Sequence, residues 1–203
     1  IDVNRDPSGA SLYPGQATTE LVPTTTFDGE PLYAPGREPD SDSISRRKAL
    51  FFEPYHRALA DEIARLRALH PHIVVYDCHS IRSVIPRLFE GTLPEFNIGT
   101  NGGVTCDPAL ESAVAELCRA SGRSTVVNGR FRGGFITRHN GRPADGVHAI
   151  QMELACRGYM REPVGPVDEA SWPVAYDEAH AAPMRATLTR ILEACIGFAR
   201  SKS

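Results

Sequence analysis

An α/β sandwich, with helices on both faces of a mixed, mostly parallel sheet, is the fold class this sequence predicts. Three observations carry it. Strand-like runs alternate with helical ones along the chain. Helix start and stop signals recur between the strands. And one apolar run, Ile73 to Tyr76 in HIVVYDCHSIRS, is β-branched or aromatic and ends abruptly in Asp77, Cys78, His79 and Ser80. That is the pattern of a short buried strand, and ligand-binding groups collect just beyond the carboxyl ends of such strands.

Taken in order, IDVNR at the start is a short strand-like piece. Residues 6–42 are rich in Pro, Gly, Ser, Thr and Asp and lack periodicity. Leu12, Tyr13, Phe27, Leu32 and Tyr33, scattered through them, argue for a long ordered loop packed on the body of the protein. A helical segment follows, with Asp42 or Ser43 as its N-cap. In RALADEIARLRAL, Leu59, Ile63, Leu66 and Leu69 share one face, and Pro54 upstream should kink or divide the helix. After the strand ending at His79, CDPALESAVAELCRASG shows Asp107 as N-cap, Pro108 at the first helical position and Gly122 just past the end. STVVN (124–128) and VHAIQMEL (147–154) are further strands, and Asp177 to Arg200 is a closing helix with Met184, Leu188, Ile191, Cys195 and Phe198 along one side.

With 203 residues, 41% of them hydrophobic and 23% charged, the chain fits a single domain with a full-sized core. A net charge of -3 has the wrong sign for a general nucleic-acid binder. No apolar run approaches the ~20 residues that cross a bilayer, and no signal peptide is visible, so no membrane role is expected. Five scattered cysteines without a C-x-x-C pair read as reduced thiols of a cytoplasmic protein.

Four groups of residues invite chemistry. Asp77 and His79 at a strand end suit either a metal-ligating imidazole with its carboxylate acceptor or a plain hydrogen-bonded histidine. Strand alternation places Val147, Ala149, Gln151 and Glu153 on one face and His148, Ile150 and Met152 on the other. A carboxylate near the end of so apolar a strand is costly unless it is paired, with Arg157 as the candidate partner, metal-bound or solvated in a cleft, where it would suit a general base. Asn4 and Arg5 offer an amide beside a guanidinium that can grip a carboxylate. Finally, GRFRGGFITRHNGRP (129–143) gathers Arg130, Arg132, Arg138 and Arg142. An anion pocket for a small carboxylate fits it better than a nucleic-acid loop stacking on Phe131 and Phe135. There is no G-x-S-x-G elbow and no phosphate-binding G-x-x-x-x-G-K-[ST] loop.

Several segments in one order, VNRDPSGASLYPGQATT, PTTTFDGEPLY, YDCHSIRS, PRLFEGTLPEFNIGTN, NGRFRGGFITRHNGRP and VHAIQMEL, resemble the N-formylglutamate amidohydrolases. That family is in turn similar to the zinc carboxypeptidases and aspartoacylases and their three-layer α/β/α fold. The resemblance implies zinc-dependent hydrolysis of N-formyl-L-glutamate to formate and L-glutamate in histidine degradation. It implies one Zn2+ with His79 as a ligand and Asp77 behind it, and Glu153 as general base. Asn4 and Arg5 would hold one substrate carboxylate, and Arg138 the other. It also implies a further histidine and glutamate ligand ahead of the Asn-Arg pair. None precedes Ile1, so the sequence reads as a single amidohydrolase domain lacking an N-terminal segment. The expected partner is a small acidic N-acyl amino acid. Two rivals are an amidase for another acyl group and a catalytically silent domain that binds an acidic metabolite.

Overall fold

Two nine-residue strands with apolar residues at one end and polar ones at the other organise this structure, a computed structural model that describes residues 1–165 and 167–202. Strand β1 spans Ile73–Ile81. Between it and its long partner lie the strand β2 (Phe96–Gly99), the helix α3 (Pro108–Ala120), the short strand β3 (Thr125–Val127) and the short helix α4 (Phe135–Asn140). The last strand, β4, runs Val147–Ala155. The sheet order is β1-β4-β2-β3. β4 is parallel to β1 and antiparallel to β2, and β2 is parallel to β3. The sheet is therefore mixed, with two of its three pairings parallel, as expected. β2 was not foreseen, and IDVNR forms a turn rather than a strand.

Register fixes what each face carries. Ile73 pairs with Val147, Asp77 with Gln151 and His79 with Glu153. Because side chains alternate, Ile73, Val75, Asp77 and His79 lie on the same face as Val147, Ala149, Gln151 and Glu153. The opposite face is the main core. There Ile150 and Met152 of β4, with Phe96 and Ile98 of β2, meet Leu110, Val114 and Cys118 of α3. Met184, Ile191 and Cys195 complete it from α5 (Glu178–Ser201), with Leu188 and Phe198 partly buried beside them.

The helix before β1 covers the first face. It begins as α1 (Ser41–Arg47), widens into a π-helical turn over Lys48–Phe52 and continues as α2 (Glu53–Arg67). Pro54 explains the widening. A proline has no N–H and its ring presses on the carbonyl four residues back, so the regular ladder cannot run through it. Instead the Glu53 N–H reaches five residues back, to the Lys48 carbonyl. The cap is Asp40, whose carboxylate accepts from Ser43 N at 2.8 Å, two residues before the expected Asp42. From α2, Ile63 closes over Ile73 and Val147, with Leu59 and Leu66 alongside. The helix stops at Arg67, so Leu69, expected on that face, is 63% exposed.

α3 follows its signals closely. Asp107 accepts from Ala109 N, Pro108 opens the helix, and Gly122 takes the left-handed conformation (φ 76°) just past the end. The stretch 6–40 has no regular element. It is tied down by Leu21 and Val22, buried against Phe52, and by Tyr13, whose hydroxyl donates to the Gly133 carbonyl at 2.8 Å.

Position along α2 and α3 decides energetic weight. Leu110 is fully buried and Leu69 is not. Leu110→Ala is expected to cost about 3 kcal/mol of unfolding free energy, and Leu69→Ala less than about 0.5. The check is the shift in denaturant midpoint of each variant at unchanged slope.

Candidate active site

The polar ends of β1 and β4 open into a cavity of about 180 Å³. His79 and Glu153 line it from the sheet, Asn4 and Arg5 from the N-terminal turn, and Tyr13, Arg130 and Gly134 from the loops above. A larger recess of about 560 Å³ lies between the 6–24 loop and α1, and Arg5 lines both. Of the two, the smaller cavity is the one lined by both His79 and Glu153.

Asn4 is the hinge of this arrangement. Its side-chain Oδ1 accepts from Ile136 N at 2.7 Å, and its backbone carbonyl accepts from Phe135 N at 3.2 Å. These are the first N–H groups of α4, whose own N-cap, Gly134, has no side chain to offer. With Oδ1 so fixed, Asn4 Nδ2 must face the sheet, where it donates to Asp77 Oδ2 at 3.2 Å. A side chain at Gly134 would strike that amide: a Cβ there would lie 2.6 Å from it. Gly99 plays a similar part, since its Cβ would lie 2.5 Å from Gly133 N, and the loop could not then rest on β2.

Two of these groups also meet the ring of His79. Its Nε2 is 2.8 Å from Asp77 Oδ1 and 2.9 Å from Asn4 Nδ2. Asn4 Nδ2 can only donate and Asp77 Oδ1 can only accept, so a ring proton on this side is directed at the carboxylate. That leaves Nδ1 as the lone-pair nitrogen when the ring is neutral. Asp77 is buried, and Thr137 Oγ1 donates to its Oδ2 at 3.4 Å. Burial works against a charged His79, but the hydrogen bond to Asp77 and the charges of Asp77, Glu153 and Asp2 win, and its pKa is raised.

Glu153 shows no ion pair among the described residues, and Arg157 instead donates to Ser124 Oγ. Its hydrogen-bond partner is Gln151, whose Nε2 lies 3.3 Å from Glu153 Oε2. Burial pushes its pKa up to about 7, helped by the charge of Asp77 and opposed by His79, Arg5 and Gln151. A carboxyl poised near neutrality can both take and return a proton. Gln151, which the sequence did not flag, holds the other half of the site: its Oε1 accepts from Gly134 N at 2.6 Å.

The arginines divide. Arg5 donates from Nε to the Thr19 carbonyl at 3.1 Å and from a terminal nitrogen to Thr19 Oγ1 at 2.6 Å. Arg130 lines the cavity. Arg138 is not among the lining groups: its Nε donates to the Gly133 carbonyl at 2.8 Å, and its guanidinium stacks on Tyr13. Phe135, weighed as a base-stacking group, packs on Phe52, His56 and His139 instead.

Whether the residues present suit a metal can be judged from the donors. A carboxylate-anchored imidazole with a free Nδ1, opening onto a cavity beside a buried carboxyl, suits one zinc ligand. Among the described residues no group of three or more His, Cys, Asp or Glu side chains is placed to hold a metal ion.

Fold and site together define an α/β protein whose buried, protonatable groups gather at the carboxyl ends of its strands. Its family is settled by comparison: the chain belongs to the N-formylglutamate amidohydrolases, whose family model matches residues 1–160. It is 44% identical over 203 residues to the N-formylglutamate deformylase of Pseudomonas aeruginosa, covering all of this chain and 73% of that protein. To the N-formylglutamate deformylase of Pseudomonas putida it is 43% identical over 199 residues, covering 98% and 71% of the two. The crystal structure of the N-formylglutamate amidohydrolase from Ralstonia eutropha shares the fold, with a TM-score of 0.73 at 21% identity over all of this chain and 73% of that one. No helix among the described residues is long and apolar enough to cross a membrane.

The Glu153 shift has a measurable stability consequence in the metal-free chain. Its folded pKa of about 7 lies above its ordinary 4.5, so between those values the folded state holds a proton that the unfolded state has released. The favourable contribution is complete below 4.5 and is lost as the pH rises through 7. Glu153→Gln, which cannot ionise, is therefore expected to be more stable than the parent above pH 7 by on the order of 3 kcal/mol, with the gap closing toward pH 4.5. Denaturant unfolding of both proteins across that range gives the answer; a gap independent of pH would count against a buried, shifted Glu153.

Proposed function

We propose that this chain carries the hydrolysis of N-formyl-L-glutamate to formate and L-glutamate, a zinc-dependent step of histidine degradation in the cytoplasm. The observation that carries the reading is Glu153, buried and raised toward neutrality in the same small cavity as the Asp77-anchored His79. The names of the Pseudomonas relatives support the substrate, and the five free cysteines accord with a reducing compartment.

In this reading His79 offers Nδ1 as one zinc ligand while Asp77 holds its ring. Zinc held there would supply Lewis acidity toward the formyl carbonyl and would lower the pKa of a water toward ~7. Glu153 takes a proton from the attacking water and delivers it to the leaving amine nitrogen. Arg5, oriented by Thr19 and with Asn4 beside it, holds one substrate carboxylate. The second carboxylate falls to an arginine of the 130–142 segment, Arg138 on the sequence expectation and Arg130 on the cavity lining. Fixing both carboxylates presents the formyl group to the acid–base end of the cavity, and positioning of that kind lowers the barrier without new chemistry.

Formate release from N-formyl-L-glutamate by the natural protein that carries this chain is the test. Activity should vanish on chelation and return with zinc. Glu153→Gln should keep its zinc and lose about 10²- to 10⁴-fold in kcat. Turnover of N-acetyl but not N-formyl compounds would move the reading to another acyl group, and an active Glu153→Gln would remove its acid–base role. Asp77→Asn should weaken zinc about 10- to 100-fold, read directly by metal titration; unchanged affinity would show that the Asp77–His79 pair does not serve a metal.

A further inference from the structure

Two guanidiniums reach the 180 Å³ cavity, one from each side: Arg5 from the N-terminal turn and Arg130 from the loop before α4. Both are held in place; Arg5 has one carboxylate partner, Asp2, and Arg130 has none among the described residues. Arg130 donates from Nε to the Leu88 carbonyl at 2.8 Å, from one terminal nitrogen to Gln16 Oε1 at 3.0 Å, and from the other to the Ala17 carbonyl. All three acceptors are neutral. The rings of Tyr13 and Phe131 flank the group at 5.7 and 5.3 Å. An arginine has five N–H donors, so two remain after these contacts.

Arg5 is similar. Its hydrogen bonds go to Thr19 and to the Asn4 carbonyl, and the carboxylate near it, Asp2, lies at 3.4 Å. Burial first, and the positive charge of Arg5 in addition, push the Arg130 guanidinium below its usual range. The two cations thus repel each other through the space they share. Holding a half-buried cation on neutral carbonyls orients it without quenching its charge, an arrangement that costs free energy until an anion arrives.

A ligand with one carboxylate can satisfy Arg5 and leaves Arg130 uncovered. A ligand with two satisfies both. Arg138 has no such position, since it does not line the cavity: its Nε donates to the Gly133 carbonyl and its guanidinium lies over Tyr13. We propose that Arg130 is the specificity-determining residue that receives the second, side-chain carboxylate, so that the cavity selects N-acyl derivatives of dicarboxylic amino acids over their neutral analogues. This rests on the reading that the cavity takes an N-acyl amino acid at all, and it assigns to Arg130 the place the sequence suggested for Arg138.

The test is binding, so that it stands apart from turnover. In the Glu153→Gln background of the natural protein, equilibrium affinity is measured for N-formyl-L-glutamate and for N-formyl-L-glutamine, which differ only in the side-chain carboxylate. N-formyl-L-glutamate should bind about 100-fold more tightly. Adding Arg130→Gln should bring the two ligands within about 3-fold of each other by weakening the glutamate compound alone. Arg130→Lys, which keeps a point charge without the fork, should retain a preference of about 10-fold. Arg138→Gln should leave the preference intact. If Arg130→Gln keeps the preference, or weakens both ligands equally, the assignment is overturned, because the residue is then remote or merely structural. If the preference collapses as expected but the unmutated protein releases no formate, the hydrolytic reading falls and the carboxylate site stands.

Discussion

The Asn4 side chain is the constraint on which the site depends. One buried amide caps the start of α4 with its oxygen and meets the Asp77 carboxylate with its nitrogen. It ties together three stretches far apart in sequence: the N-terminal turn, the end of β1 and the loop that carries Arg130. The geometry tolerates no substitute of different shape. Aspartate could accept from Ile136 but would face Asp77 with a second carboxylate, and a shorter side chain would leave buried polar groups unpaired. Gly134 completes the fit by having no side chain where the amide must lie.

From that anchor the division of labour across the sheet follows. One face of β4 is given to packing, with Ile150 and Met152 fully enclosed between the sheet and α3 and α5. The other face changes character along its length. Val147 packs beneath α2 and Ala149 is buried and apolar, whereas Gln151 and Glu153 are buried polar groups facing the cavity. Burial that would be a fault elsewhere is what shifts Glu153 into the range where a carboxyl can act on water. Gln151 bonds both the loop above and the Glu153 carboxyl, so one side chain links the position of the loop to the environment of that carboxyl.

Much of this was legible in the sequence, for identifiable reasons. α3 could be read from end to end because Asp107, Pro108 and Gly122 act within a few residues of one another. The faces of β4 followed from strict alternation. β2 was overlooked because Phe96–Gly99 is only four residues long and lies among prolines and glycines, and its strand character comes from pairing with β4 rather than from composition. IDVNR failed in the opposite sense: its β-forming residues are bent into a turn so that Asn4 can reach α4. Leu69 kept the helical spacing but lay beyond the last turn that tertiary contacts supported. Among the arginines, spacing alone could not separate Arg130 from Arg138, because what distinguishes them is the carbonyls of Leu88 and Ala17, both distant in sequence. Gln151 carried no signal beyond its place on the same face as Glu153.

The parallel pairing of β1 with β4 has a consequence for how the molecule forms. Its two strands enclose β2, α3, β3 and α4 between them, so the register that sets His79 beside Glu153 is a long-range contact. Closing so long a stretch of chain costs entropy before any pairing repays it. α3 and α5 can begin on their own caps, but the cavity has no partial form: before the two strands join, the imidazole and the carboxyl belong to separate, solvated pieces of chain with ordinary acidities. The raised proton affinity of Glu153 therefore belongs to the joined strands, and neither strand carries it alone.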